Sequence, residues 1–211
     1  MALTYAPPAG IEPKTPPSRT SALLSRIKGM LLAPKAEWSI VARESTPTVS
    51  LLGYVMPFAA LASVLVLAYF LSTARIPRES GLILASLAFG FELVGVYAVA
   101  IIINALASFF GAVPDQRKAC MIAVYAFTPV WIATLFIPIP AWSLPLKLLA
   151  GAYHSYLLYL GLQVLMQPPR DRAVGYAATV VLCSVFLRIV FMLVSSGLAG
   201  TDHLSPCHVF G

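Results

Sequence analysis

Charge is scarce in this chain. Asp, Glu, Lys and Arg together make up 10% of its 211 residues, against about a quarter in an ordinary soluble domain. With 59% of residues hydrophobic, water is excluded as the main solvent. Cysteine is equally sparse. Cys120 and Cys183 fall in or beside apolar runs and Cys207 in the C-terminal tail, so neither a disulfide framework nor a zinc-ligand spacing is present. No glycine-rich phosphate loop precedes a helix, and no Ser, His and Asp set sits on a soluble scaffold; the reading is non-enzymatic, with no cofactor and no metal. His203, Cys207 and His208 lack the supporting shell that a metal site requires. The net charge is +6, but the basic residues do not gather into an aromatic-studded groove, and nucleic acid is not expected as a partner.

What the sequence does have is long apolar runs. A bilayer-crossing helix needs about 20 residues, and candidate spans run over 50–71, 82–110, 121–137, 144–166 and 174–198. The expected fold is therefore all-α: a polytopic membrane bundle of five transmembrane helices over residues 49–199. Residues 1–20 are rich in proline and read as a disordered cytoplasmic tail. Residues 200–211 form a short extracytoplasmic tail.

Between tail and bundle, residues 21–48 carry an amphipathic segment, with Leu23, Leu24, Ile27, Met30 and Leu31 on one helical face. Pro34 should end that helix. Flanked by Arg26, Lys28 and Lys35, it suits a helix lying in the headgroup plane; a helix packed on the protein's own loops is the alternative. Trp38 is expected at the interface, as is Trp142 at the start of span four.

Orientation follows from the basic residues. Lys14, Arg19, Arg26, Lys28, Lys35, Arg43, Arg117, Lys118, Arg170 and Arg172 fall on one side of a five-span arrangement, and only Arg75 and Arg78 in a loop on the other. The N-terminus is expected in the cytoplasm and the C-terminus outside it.

Three ionisable residues, Glu92, His154 and Arg188, lie at one level, about 15–18 Å from the outer ends of their spans at 1.5 Å per residue. Unpaired charges there cost about 2.5–3.5 kcal/mol or more, so the three should face one another or water. The expected arrangement pairs Glu92 with Arg188 and lets His154 donate to one of them or to a water. It either fixes helix register, or serves as a proton or ion relay, or receives a lipid headgroup or partner helix. Asn104 and Gln163 are expected to hydrogen-bond between helices.

The pair Pro34 and Trp38, Gly53-Tyr54 with Pro57, Tyr125 with Pro129, and the run from Tyr159 to Leu165 leading into Asp171-Arg172-Ala173-Val174-Gly175-Tyr176 resemble the Yip-domain membrane family, in particular its bacterial-type branch. The resemblance covers roughly 31–198. It implies a five-helix bundle with a cytoplasmic N-terminus and, for the bacterial branch, residence in the inner membrane. Eukaryotic members contact Rab-type GTPases and carry an Asp-Leu-Tyr-Gly-Pro motif, which is missing here and argues against that partner. The expected function is a membrane scaffold or accessory subunit that binds lipid and a membrane-protein partner or further copies of itself. The alternative is a small transporter or channel component.

Overall fold

The computed structural model describes residues 19–44, 48–73, 78–136 and 140–198. Both expected tails, except for Arg19, Thr20 and their helical start, lie outside the described residues, as do Arg75 and the turn at Pro138. Every described element is helical: α1 (Arg19–Leu32), α2 (Pro34–Val41), α3 (Thr48–Thr73), α4 (Arg78–Ala107), α5 (Gln116–Ala126), α6 (Thr128–Thr134), α7 (Pro140–Gly161) and α8 (Arg170–Leu198). Residues 162–166 extend α7 as one wider turn, closed by the Gln167 N–H on the Leu162 carbonyl at 3.1 Å. Gln167 then takes a left-handed conformation (φ 51°) and Pro168-Pro169 ends the run before α8.

Four helices are long and apolar enough to cross a membrane, with spans at Ser50–Ala68, Gly81–Ala107, Leu144–Met166 and Arg170–Ser195. Only 11–39% of the residues in these spans are buried inside the protein, so most of their apolar surface faces outward. In water such a surface would be untenable; against lipid tails it costs nothing.

The segment expected as the third span differs from its neighbours. Instead of one helix over 121–137 it forms two, α5 and α6, which meet at Phe127. Pro129 is the cause, because it brings no N–H to the carbonyl four residues back, at Tyr125. Asp115 starts α5 by accepting from the Arg117 and Lys118 N–H groups at 3.0 and 3.1 Å, an N-cap that satisfies two orphan donors. All residues from Ala119 to Ala126 are buried. This broken pair forms the core, packed by α3, α4 and α7, while α8 lies at the edge against α4 and α7.

Pro34 does end the first helix, but it also opens the next, standing at the first position of α2. The α1–α2 pair packs on α6 and α7. Its apolar face buries Met30 fully, and the Tyr153 hydroxyl of α7 donates to the carbonyls of Met30 and Leu31 (3.3 and 2.9 Å), tying down the end of α1. Trp38 is completely enclosed by the protein, its ring 6.4 Å from that of Tyr125 in an edge-on arrangement.

Gly161 makes that enclosure possible, since a Cβ there would stand 2.8 Å from the Trp38 ring. Gly151, about three turns earlier on α7, has open space around it. Gly161→Ala should therefore lower stability by about 1–3 kcal/mol, the usual effect of overpacking, while Gly151→Ala leaves it unchanged or raised. Thermal unfolding in detergent, followed by tryptophan fluorescence, checks both; equal behaviour of the two variants would refute this account of the Trp38 seat.

Candidate functional site: the intramembrane polar network

The break between α5 and α6 frees carbonyls in the middle of an apolar bundle, where each unsatisfied backbone group is costly. Two side chains take them up. Thr128 Oγ1 donates to the Tyr125 carbonyl at 2.7 Å, replacing the donor that Pro129 lacks. With its single proton so used, the Thr128 hydroxyl accepts from the Tyr54 O–H of α3 at 2.9 Å. One residue on, His154 Nδ1 of α7 lies 2.8 Å from the Ala126 carbonyl. A carbonyl only accepts, so Nδ1 carries the proton and Nε2 does not need to donate. Nε2 is buried without a partner among the described residues, and the imidazole packs on Phe127 with ring centres 4.4 Å apart.

A second group sits at α4, α6 and α8. Glu92 Oε1 accepts from Arg188 Nη1 at 3.2 Å, and Glu92 Oε2 accepts from the Trp131 indole N–H at 2.8 Å. The carboxylate side chain is 12% exposed and the arginine 54%. Phe91 and Phe191 stack at 3.9 Å and the Arg188 guanidinium lies over Phe91, 5.5 Å from its centre. Glu92 and Arg188 thus meet directly. His154 does not join them, contrary to the three-residue cluster expected from depth alone: depth fixes the level but not the azimuth, and the Ala126 carbonyl is the nearer claim on its N–H. Trp131 was the missed member. A buried indole needs an acceptor for its N–H, and that requirement is the signal that could have pointed to a carboxylate at its level.

The remaining expected residues separate similarly. Asn104 was expected to bond between helices, yet its side-chain oxygen is buried without a partner among the described residues. Gln163 lies half-buried in the wide turn at the end of α7, with no interhelical bond found among the described residues. Lys28 is exposed. The Trp142 side chain lies outside the described residues.

The Arg26 guanidinium is spent inside the chain. Nη1 donates to Glu37 Oε1 and Nη2 to Glu44, all at 2.6 Å, and the group sits 5.4 Å from the centre of the Tyr125 ring. Gly29 clears space for Glu37, whose carboxylate occupies the place that a Cβ would take there. Burial by itself lowers the Arg26 pKa, but the Glu44 hydrogen bond and the nearby Tyr125, Glu44 and Glu37 groups outweigh it and hold the value above the ordinary one.

Glu92→Gln should leave Arg188 without its counter-charge in the apolar zone and destabilise the protein by about 2.5–3.5 kcal/mol. Adding Arg188→Met to Glu92→Gln should restore part of that loss, because the uncompensated charge is then gone. A double-mutant cycle on thermal or denaturant unfolding in detergent reads the coupling; additive losses would mean that the pair does not interact.

Compared with known proteins, the chain matches the family model described as the Yip1 domain over residues 28–192, which takes in all helices from the end of α1 to most of α8. No curated protein and no solved structure matches it.

Proposed function

The chain belongs to the Yip1 domain family, and from that membership and the bonds that Thr128, His154 and Glu92 make within the fold we propose that this integral membrane protein is a non-enzymatic scaffold or accessory subunit. Its partners are membrane lipid and a second membrane protein. The observation that carries the reading is that Thr128, His154 Nδ1 and Glu92 each bond to groups within the fold. The carbonyls freed at the helix break are taken by Thr128 and His154, and Glu92 is taken by Arg188 and Trp131.

A proton or ion relay needs a chain of exchangeable groups along the membrane normal. Among the described residues no hydrogen bond links His154 to Glu92 or Arg188, which favours register over transport. Five crossings complete the picture: α3, α4, the α5–α6 pair, α7 and α8. The α5–α6 pair supplies about 28 Å of helix at 1.5 Å per residue, close to the thickness of the hydrocarbon core. The N-terminus then lies in the cytoplasm with Arg117, Lys118, Arg170 and Arg172, and the C-terminus outside, in a bacterial inner membrane. The exposed Lys28, Arg117, Arg170 and Arg172 support a cytoplasmic surface that attracts anionic lipid.

Gentle detergent extraction from the native membrane, followed by size analysis, should recover the chain with a stoichiometric second protein. In parallel, purified chain in liposomes should leave an imposed pH gradient intact. Recovery as a lone monomer, together with proton flux that Glu92→Gln abolishes, would overturn the scaffold reading in favour of a transporter. Cysteines placed at residues 28 and 200 should be labelled by a membrane-impermeant reagent only at 200 in intact cells; the opposite pattern would invert the topology.

A further inference from the structure

Among the long helices α8 is the least enclosed, with 11% of its span buried. Most of its outer surface is aliphatic or aromatic and needs nothing but acyl chains. Arg188 is the exception. One N–H goes to Glu92 and one face of the guanidinium lies on Phe91, yet the side chain is 54% exposed. The flank it turns outward carries Val185, Ile189 and Met192, at i−3, i+1 and i+4, themselves 51, 51 and 64% exposed.

A guanidinium has five N–H donors, and the bond to Glu92 uses one. Its charge is balanced, but its remaining donors have no acceptor among the described residues. Hydrocarbon offers none either. Headgroups are a poor source: the candidate span runs on to Ser195, about 10 Å beyond Arg188 at 1.5 Å per residue, and Glu92 holds the guanidinium at its own level instead of letting it reach outward. Another copy of the chain is a poor complement. Copies inserted in the same orientation and paired through this face would bring two Arg188 guanidiniums together, donors against donors.

We propose that the α8 face formed by Val185, Arg188, Ile189 and Met192 is the docking site for a transmembrane helix of a different membrane protein. That helix presents an uncharged acceptor, an amide carbonyl or a hydroxyl, opposite Arg188. A carboxylate is disfavoured there, since Glu92 has already neutralised the arginine and a second anion would restore a net charge. Aliphatic packing against Val185, Ile189 and Met192 supplies contact area, and the acceptor sets register, the division of labour usual between helices in a bilayer. The proposal rests on the scaffold reading and gives it a surface.

The test uses the full-length chain in its native membrane, with a photo-crosslinking residue at position 185 or 192 and, as control, at position 101 on α4. Positions 185 and 192 should crosslink to one polypeptide, the same one that co-purifies with the unmodified protein, and position 101 should not. Arg188→Met should reduce its recovery at least tenfold. So should Val185→Trp combined with Ile189→Trp, which leaves the Glu92–Arg188 pair in place; its thermal unfolding should be unchanged, so a folding defect in Arg188→Met cannot decide the matter. Crosslinks to copies of the same chain or to lipid alone would overturn the proposal. Undiminished recovery of the partner with both variants would overturn it while leaving the scaffold reading intact, whereas the absence of any partner from the unmodified protein would remove both.

Discussion

A proline inside a buried helix leaves one carbonyl without its N–H donor, and an apolar core holds no water to replace it. In this protein that problem arises at the centre of the bundle, where Pro129 strips the donor from the Tyr125 carbonyl. Thr128 supplies a hydroxyl proton in its place. Because that hydroxyl then has only lone pairs left, it draws in Tyr54 from α3, and the freed carbonyl next to it draws in His154 from α7. The defect organises its neighbours: two of the long helices dock at hydrogen bonds that exist because α5 and α6 are not one continuous helix.

The outer helices attach to the same core by a second route. Trp131, one turn beyond the break, directs its indole N–H to Glu92 on α4, and Glu92 in turn receives Arg188 from α8. On the other side Tyr125 meets the edge of Trp38 and underlies Arg26, so the N-terminal helices are fixed to α5 as well. Directional bonds and aromatic contacts matter more here than in a soluble protein, because burying apolar surface between helices gains little when lipid is equally apolar. A network centred on a broken helix whose middle, Ala119 to Ala126, is buried therefore specifies one arrangement where aliphatic packing alone would allow several.

Membership of the Yip1 domain family agrees with this picture of a membrane-embedded helical protein. Within it, the N-terminal helices are more tightly integrated than an amphipathic anchor needs to be. Gly29 and Gly161 lack the side chains that would obstruct Glu37 and Trp38, and Arg26 finds both of its carboxylates on the segment that follows it. The helix pair is attached to the bundle at specific seats, Trp38 against Gly161 and the end of α1 under the Tyr153 hydroxyl.

Much was legible from residues alone, because it depends on quantities that accumulate along the chain. Apolar length yielded the long helices, Pro34 the end of the first one, and the depth of Glu92 and Arg188 their shared level. Azimuth is different. Whether a residue at a given depth faces a neighbour, a broken turn or lipid is decided by how helices rotate against one another, and one-dimensional periodicity is weak where every face is apolar. Hence His154, expected level with Glu92, is bonded to the Ala126 carbonyl; Trp38 and Arg26 are drawn inward by a glycine gap and by two glutamates; and the residues leading up to Pro129 are buried. Only the tertiary structure decided these, since each depends on a partner far away in sequence whose position follows from packing.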